Sequence, residues 1–394
     1  MKRIAIIGAG AAGCFCAAHL RQMAPGAAVT VFESGPKPLA KVAVTGGGRC
    51  NLTNDFQGIR SLAEAYPRGE RVMKRALKAF SQEDTISWFT ARGVPCVLQD
   101  NHCWFPQSQD ALDVVRALLR AMQGCTLRTG SPVHAITPGP TGYLVDGEPF
   151  DAVVVTTGGA PKGLPFLEGL GLELVPPVPS LFTFTVKDPS LNALMGLVVE
   201  ASLSLAGTPF KAGGPLLITD WGLSGPATLK LSAHAARFLA DNGYQATVLV
   251  NWLNRSEEQA RATLLQTAAE NPQKQLSSTH LLQARLWSHL LSRAGLRPDL
   301  RWAELGTKGL NKLVAVLVSD SYRLSGKSKF RDEFVTAGGV ALSNINLNTL
   351  ACKAHPGLFF AGEVLDIDAI TGGFNLQAAW STGYVCAQSI AQTL

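Results

Sequence analysis

The sequence predicts an α/β fold: a parallel-sheet domain assembled from both ends of the chain and interrupted by a second, inserted domain. Three observations predict it. First, the apolar run Arg3–Ile7 leads through a glycine-rich turn into the helix-compatible stretch Ala11–Met23 and then the apolar run Ala28–Phe32, the order of a βαβ unit. Second, AVVVT at 152–156 and LFFA at 358–361 are further buried-strand runs, ending in Gly158-Gly159 and Gly362-Glu363, so strand-then-glycine recurs at both ends of the chain. Third, the pattern changes between them: Val198–Leu205 alternates like a half-exposed strand, 246–250 is strand-like, and 256–293 is rich in Gln, Ala, Leu and charge at helical spacing.

The inserted domain is expected at about residues 181–331, leaving 1–180 and 332–394 for the first domain. Within it Leu223-Ser224-Gly225-Pro226 predicts a turn and then a helix with proline in its first turn. A chain of 394 residues exceeds the size at which one core stops growing, and 46% hydrophobic residues can fill two. The formal charge of +6 comes from 35 basic and 29 acidic residues with no dense basic block, a balance that suits an anionic ligand without calling for nucleic acid.

Eight cysteines include no Cys-x-x-Cys pair and no zinc-ligand spacing with histidine, so no metal and no redox dithiol is expected. Reduced thiols place the chain in the cytoplasm. Lys2 and Arg3 before an apolar stretch resemble the start of a signal peptide, but glycines at dinucleotide-binding positions and a following acid argue against one. No other stretch reaches the roughly 18 apolar residues that span a bilayer.

Gly8-Ala9-Gly10-Ala11-Ala12-Gly13 fits G-x-G-x-x-G, and each glycine has a physical reason, namely the tight turn, close approach of main chain to a pyrophosphate, and helix-on-strand packing. The helix that follows offers free N–H groups and the positive end of its dipole to phosphate. Glu33, twenty residues after Gly13, ends the second strand where a carboxylate accepts ribose hydroxyls. An acid there disfavours a 2′-phosphate and leaves NAD and FAD open.

A second glycine loop, Thr45-Gly46-Gly47-Gly48-Arg49-Cys50-Asn51, can bring main chain against a phosphate or a flat ring, with Arg49 as a fixed charge. Near the C-terminus, Gly362-Glu363-Val364-Leu365-Asp366-Ile367-Asp368 leads to Gly372-Gly373-Phe374-Asn375-Leu376-Gln377. There Leu376, Ala379, Trp380, Gly383, Ala387 and Ile390 trace one helix face. A glycine pair thus opens a helix, whose N–H groups are suited to negative charge developing at the pyrimidine edge of a flavin.

These stretches resemble the HI0933-like flavoprotein family, also labelled the aminoacetone-oxidase or BaiN-like family. The matching residues are GAGAAG with Glu33, Lys41 followed by TGGGRCNLTN at 45–54, Phe105-Pro106-x-Ser108, Gly222-Leu223-Ser224-Gly225-Pro226, Thr336-Ala337-Gly338-Gly339-Val340, and GEVLDID followed by GGFNLQ. The resemblance implies a Rossmann-like FAD-binding domain from both chain ends and a β-barrel-like plus helical insertion covering the flavin. The family labels include amine or aminoketone oxidation and reduction of conjugated ketones. Where relatives commonly read Thr-His before the Gly-x-Ser-Gly-Pro turn, this chain has Thr219-Asp220-Trp221, and the Gly-Arg before Phe-Pro is replaced by His102-Cys103-Trp104.

Carried onto this chain, FAD contacts are expected from Gly8, Gly10, Ala11, Ala12, Gly13, Glu33 and Ser34 at the N-terminal unit, and from Lys41, Gly46, Gly47, Gly48, Arg49, Cys50 and Asn51 at the second loop. Val133, His134, Thr157, Gly158 and Gly159 are expected mid-chain, and Gly362, Glu363, Gly373, Phe374, Asn375, Leu376 and Gln377 near the end. Asp366, Asp368 and Arg49 are the candidate catalytic groups, the two aspartates as a proton relay or as ligands of flavin hydroxyls. The Cys50 thiol is expected to fill an apolar niche. Arg323, Lys327, Lys329 and Arg331 form a cationic cluster expected in a solvated loop, with recruitment of an anionic substrate or nicotinamide phosphate as the alternative.

The expected activity is that of an FAD-dependent oxidoreductase moving hydride between flavin and a small organic substrate, by conjugated-ketone reduction or amine or aminoketone oxidation. No second G-x-G-x-x-G occurs, so NADH or NADPH is expected only as a transient electron donor. The alternatives are an RNA-associated flavoprotein resembling tRNA-modifying enzymes and a flavin-binding protein without turnover. Neither a nucleic-acid nor a membrane partner is expected.

Overall fold

The computed structural model describes residues 1–160, 163–327 and 335–393. The chain divides into two compact units, Met1–Pro179 with Val335–Leu394, and Ser180–Phe334.

The first unit is built on a five-stranded parallel sheet in the order Leu358–Phe360, Ala152–Val155, Arg3–Ile7, Ala28–Phe32, Thr126–Arg128. Its central strand is the first in sequence, in register with both neighbours through Ile4 against Ala152 and Val29. Ile4, Ala5 and Ile6 have no exposed surface, as a strand covered on both faces requires. Helix Ala11–Met23 follows directly and packs along helix Phe374–Thr393, so the first and last helices of the chain share one layer. The fit is close because Gly383 faces Ala12: a Cβ on Gly383 would lie 2.7 Å from the Ala12 carbonyl oxygen. Beside them Phe15, Phe80, Trp88, Phe89 and Trp380 form an aromatic cluster with His19 among them.

The second unit contains a closed six-stranded antiparallel barrel in the order Phe184–Val186, Gly222–Ser224, Lys211–Thr219, Val198–Leu205, Gln245–Asn251, Asp320–Lys327. Helices Glu257–Glu270, Ala284–Arg293 and Gly306–Ser319 accompany it. Inward residues such as Leu203, Leu216, Val248 and Leu324 join Trp252, Trp287 and Trp302 in one apolar core. Helix Gly225–His234 carries Pro226 in its first turn, where a missing N–H costs no hydrogen bond.

One polar network inside this unit has no counterpart in the sequence expectations. Asp320 accepts from Trp252 Nε1 at 3.1 Å, from Tyr322 Oη and from Arg293, while His289 Nε2 donates to Tyr322 Oη at 3.1 Å. Burial holds His289 below the usual imidazole range, consistent with a neutral ring in that chain of bonds. The expected cationic loop is also corrected in part: Arg323 and Lys327 sit on the barrel strand Asp320–Lys327, and the Lys327 ammonium lies over the Tyr244 ring. Lys329 and Arg331 lie outside the described residues. Among the described residues no helix is long and apolar enough to cross a membrane, and no cluster of ligands suited to a metal occurs.

Candidate functional site

The N-terminal turn shows why its glycines are needed. Gly8 has φ +110° and a Cβ there would lie 2.6 Å from Thr156 O, while a Cβ on Gly13 would come within 2.0 Å of Gly8 O and 2.5 Å of Thr156 Oγ1. Gly10, which caps helix Ala11–Met23, has nothing within 4 Å of its Cβ position, so main chain there is open to a ligand from outside. Thr156 locks the turn from the neighbouring strand by donating to Ile7 O and Gly8 O. Open N–H groups at the start of a 13-residue helix, with a carboxylate nearby, fit a dinucleotide pyrophosphate and ribose.

That carboxylate is Glu33. Its oxygens accept from Ala9 N at 2.9 Å and Gly35 N at 2.7 Å, with Ser34 Oγ at 3.4 Å, which holds the acid at the mouth of the turn. Val133 and His134 follow the strand Thr126–Arg128 on the same side, where Ser131 N donates to Glu33 O. The His134 N–H is taken by the Asp146 carboxylate.

The second glycine loop and the C-terminal glycine pair, far apart in sequence, are laced together. Asn54 Nδ2 donates to Gly372 O at 3.0 Å, and Trp380 Nε1 donates to Leu52 O at 3.0 Å. Asn51, with its amide oriented to suit both neighbours, donates to Thr53 O and accepts from Gly373 N at 3.2 Å. A Cβ on Gly373 would lie 2.5 Å from Thr53 O, and φ of +90° also favours glycine there. The Gly373 N–H thus faces the side-chain amide of Asn51.

The surrounding expected residues divide into those facing outward and those serving as struts. Gly46 and Gly47 are exposed on the second loop, Gly48 is half-buried, and Lys41 is exposed on the short helix Ala40–Val44 before it, while Arg49 lies over the Phe105 ring with Nε donating to Gly46 O. Cys50 is fully buried, and burial pushes its thiol well up. Gln377 is a strut: its buried amide donates to Ser81 O and Ser381 Oγ and accepts from Thr85, which corrects its expected place among the cofactor ligands. Asn375 bonds both the N–H and the carbonyl of Ala369, Phe374 packs edge-on to Phe56, and Leu376 is half-buried.

Glu363 is another strut. Its carboxylate accepts from Thr336 N at 2.7 Å and from the Gly159 N–H, and burial raises its pKa against the pull of Lys41. Gly362 lies against Ala12, and its N–H donates to Thr382. The loop through Thr157, Gly158 and Gly159 thus runs between Glu363 and the Gly8 turn, where a Cβ on Gly8 would lie 3.0 Å from Thr157 Cα.

Of the two candidate aspartates, Asp368 is corrected. Its side chain has no exposed surface and forms a two-pronged ion pair with Arg68, so it positions the loop and is unsuited to relay a proton. Asp366 is half-buried in the same segment, its N–H donating to Val340 O. The sequence reading missed Tyr66, Arg68, Asn54 and Thr156. Asn54 lies inside the matched stretch TGGGRCNLTN, whereas Tyr66 and Arg68 carry no local signal.

Comparison with known proteins follows the same outline. The chain matches the family described as HI0933-like protein Rossmann domain over residues 2–389. It is 31% identical over 411 residues to the ribosomal RNA dihydrouridine synthase of Escherichia coli (strain K12), covering 98% of this chain and 97% of that relative. It is 28% identical over 412 residues to the 3-dehydro-bile acid delta(4,6)-reductase of Clostridium scindens, covering 100% of both. Among solved structures, 3-ketosteroid delta1-dehydrogenase from Sterolibacterium denitrificans shares the fold with a TM-score of 0.50 at 12% identity, covering 100% of each chain.

Proposed function

The chain belongs to the HI0933-like family and is an FAD-dependent oxidoreductase, and we propose that it saturates a carbon–carbon double bond conjugated to a carbonyl group. The observation that carries this reading is the agreement between two full-length relatives with unlike substrates. Uracil and a 3-oxo diene steroid both contain an alkene conjugated to C=O. Hydride adds to the far carbon of such a system because the resulting charge spreads onto the carbonyl oxygen. Both names describe the reductive direction, which favours a reductase over an amine or aminoketone oxidase.

Bound FAD, once reduced by a nicotinamide donor, would supply the hydride in this reading, and a proton delivered to the carbon next to the carbonyl would complete the saturation. The Gly8–Gly13 turn and the helix behind it would hold the pyrophosphate, and Glu33 would accept the ribose hydroxyls. Asn51, Asn54 and Gly373 fix the main chain on the flavin side, and Arg68 with Asp368 stiffens the loop leading into it. NADH or NADPH is the proposed electron source, visiting the site without a domain of its own. Two substrate classes fit this chemistry, a small cyclic enone and a uracil within RNA.

Anaerobic stopped-flow spectroscopy of the holoprotein tests the direction. Reduced nicotinamide should bleach the visible flavin band, and a conjugated enone or a uridine-containing RNA should restore it. Bleaching by an amine, with recovery only on adding oxygen, would overturn the reading.

A further inference from the structure

The sequence has no contiguous basic block, yet folding gathers one. Residues 60–78 carry six basic and two acidic side chains, and helix Glu70–Ala79 places Arg71, Lys74, Arg75 and Lys78 at the i, i+3, i+4, i+7 positions of a single face. All four are exposed, while Val72, Met73 and Ala76 are buried on the opposite face.

An ordinary solvated face would not be composed this way. Arg71 and Arg75, and Lys74 and Lys78, are like charges one turn apart, an arrangement that destabilises a helix. Arg71 also sits in the first turn, where the helix dipole disfavours a cation. Among the described residues none of the four pairs with a carboxylate; Arg75 donates to the neutral Asn348 side chain. Such a row gains from a polyanion that bridges it.

The helix is also tied to the proposed flavin-side loop by three contacts from the residues just before it. Tyr66 Oη donates to Phe374 O at 2.9 Å, Arg68 pairs with Asp368, and Gly69 seats on Ile367, which a Cβ would approach to 2.7 Å. The row of cations therefore begins just after the residues that hold the loop opening the C-terminal helix and extends along its own helix for about 10 Å.

We propose that the exposed face of helix Glu70–Ala79 is a phosphate track that holds the backbone of a single-stranded or unpaired RNA segment while one base reaches the flavin side of the same unit. This rests on the reading that the reacting ring lies at the Gly372-Gly373 loop, and it chooses RNA over a small enone as the substrate class. Phosphate contacts of this kind position a strand without reading its sequence, and an unpaired base is the form accessible to chemistry.

The test is fluorescence anisotropy of the FAD-loaded protein with a labelled, uridine-containing RNA oligonucleotide across a range of salt. Wild type should bind with a steep salt dependence. The combined variant Arg71→Gln, Lys74→Gln, Arg75→Gln, Lys78→Gln should lose at least about tenfold in affinity and lower the slope of log K against log salt by about 2 to 3, at about 0.7 per phosphate released. Arg71→Lys with Arg75→Lys should keep most of both. Unchanged affinity and slope in the Gln variant would overturn the track, as would a wild type that ignores RNA but binds vesicles of anionic phospholipid. FAD content measured on the same samples separates the two readings. A chain without FAD removes the flavin assignment alone, whereas a FAD-loaded chain indifferent to RNA removes the track alone.

Discussion

At the scale of single residues, the account rests on side chains whose partners explain their presence. Glu33 accepts two backbone N–H bonds at the mouth of the glycine turn, which holds its carboxylate in place for the ribose-binding role proposed for it. Glu33→Ala should weaken FAD binding by about 1–3 kcal/mol, read by cofactor retention during dialysis, and an unchanged affinity would contradict that role. Its position was legible from its distance to Gly13 because the βαβ geometry fixes where the second strand ends. Asp368 was not legible in the same way. The partner that commits it, Arg68, is 300 residues away, and no local pattern joins the two. Gln377 misled for the same reason, since Ser81 and Thr85 reach it from another helix.

At the scale of elements, the strand Arg3–Ile7, helix Ala11–Met23, strand Ala28–Phe32 and strand Val198–Leu205 lie where apolar period and glycine punctuation put them. The pattern was clear because these segments are buried on defined faces. Helix Glu70–Ala79 shows the converse: its basic period was present in the sequence, but a count of net charge hides a face. Helix Ala11–Met23 carries a further consequence in His19, which packs against Phe15, Trp88 and Tyr384 and bonds Phe15 O through Nδ1 at 3.0 Å. Burial lowers its pKa from 6.5 to about 4. Between those values the unfolded chain takes up a proton that the folded chain refuses, so stability declines as pH falls from about 6.5 to about 4, by about 3 kcal/mol in all. Urea unfolding at about pH 7.5 and about pH 5 should show about 2 kcal/mol of that loss in wild type and a smaller one in His19→Phe. Equal losses in the two proteins would place the proton elsewhere.

At the scale of the molecule, the Rossmann-type sheet was legible because its strands are continuous apolar runs followed by glycine, a pattern that parallel sheets impose. The barrel was implied only by resemblance, because closure depends on pairing Phe184–Val186 with Asp320–Lys327 across most of the second unit, which no local period reveals. The joining of the two glycine segments through Asn51, Asn54 and Trp380 is likewise a product of topology. It places two glycine-rich loops from opposite ends of the sequence in the FAD-binding unit. The most direct test of the account is to denature the purified holoprotein and quantify the cofactor released. The account predicts one FAD for each chain. A colourless protein that takes up no FAD on reconstitution would contradict it.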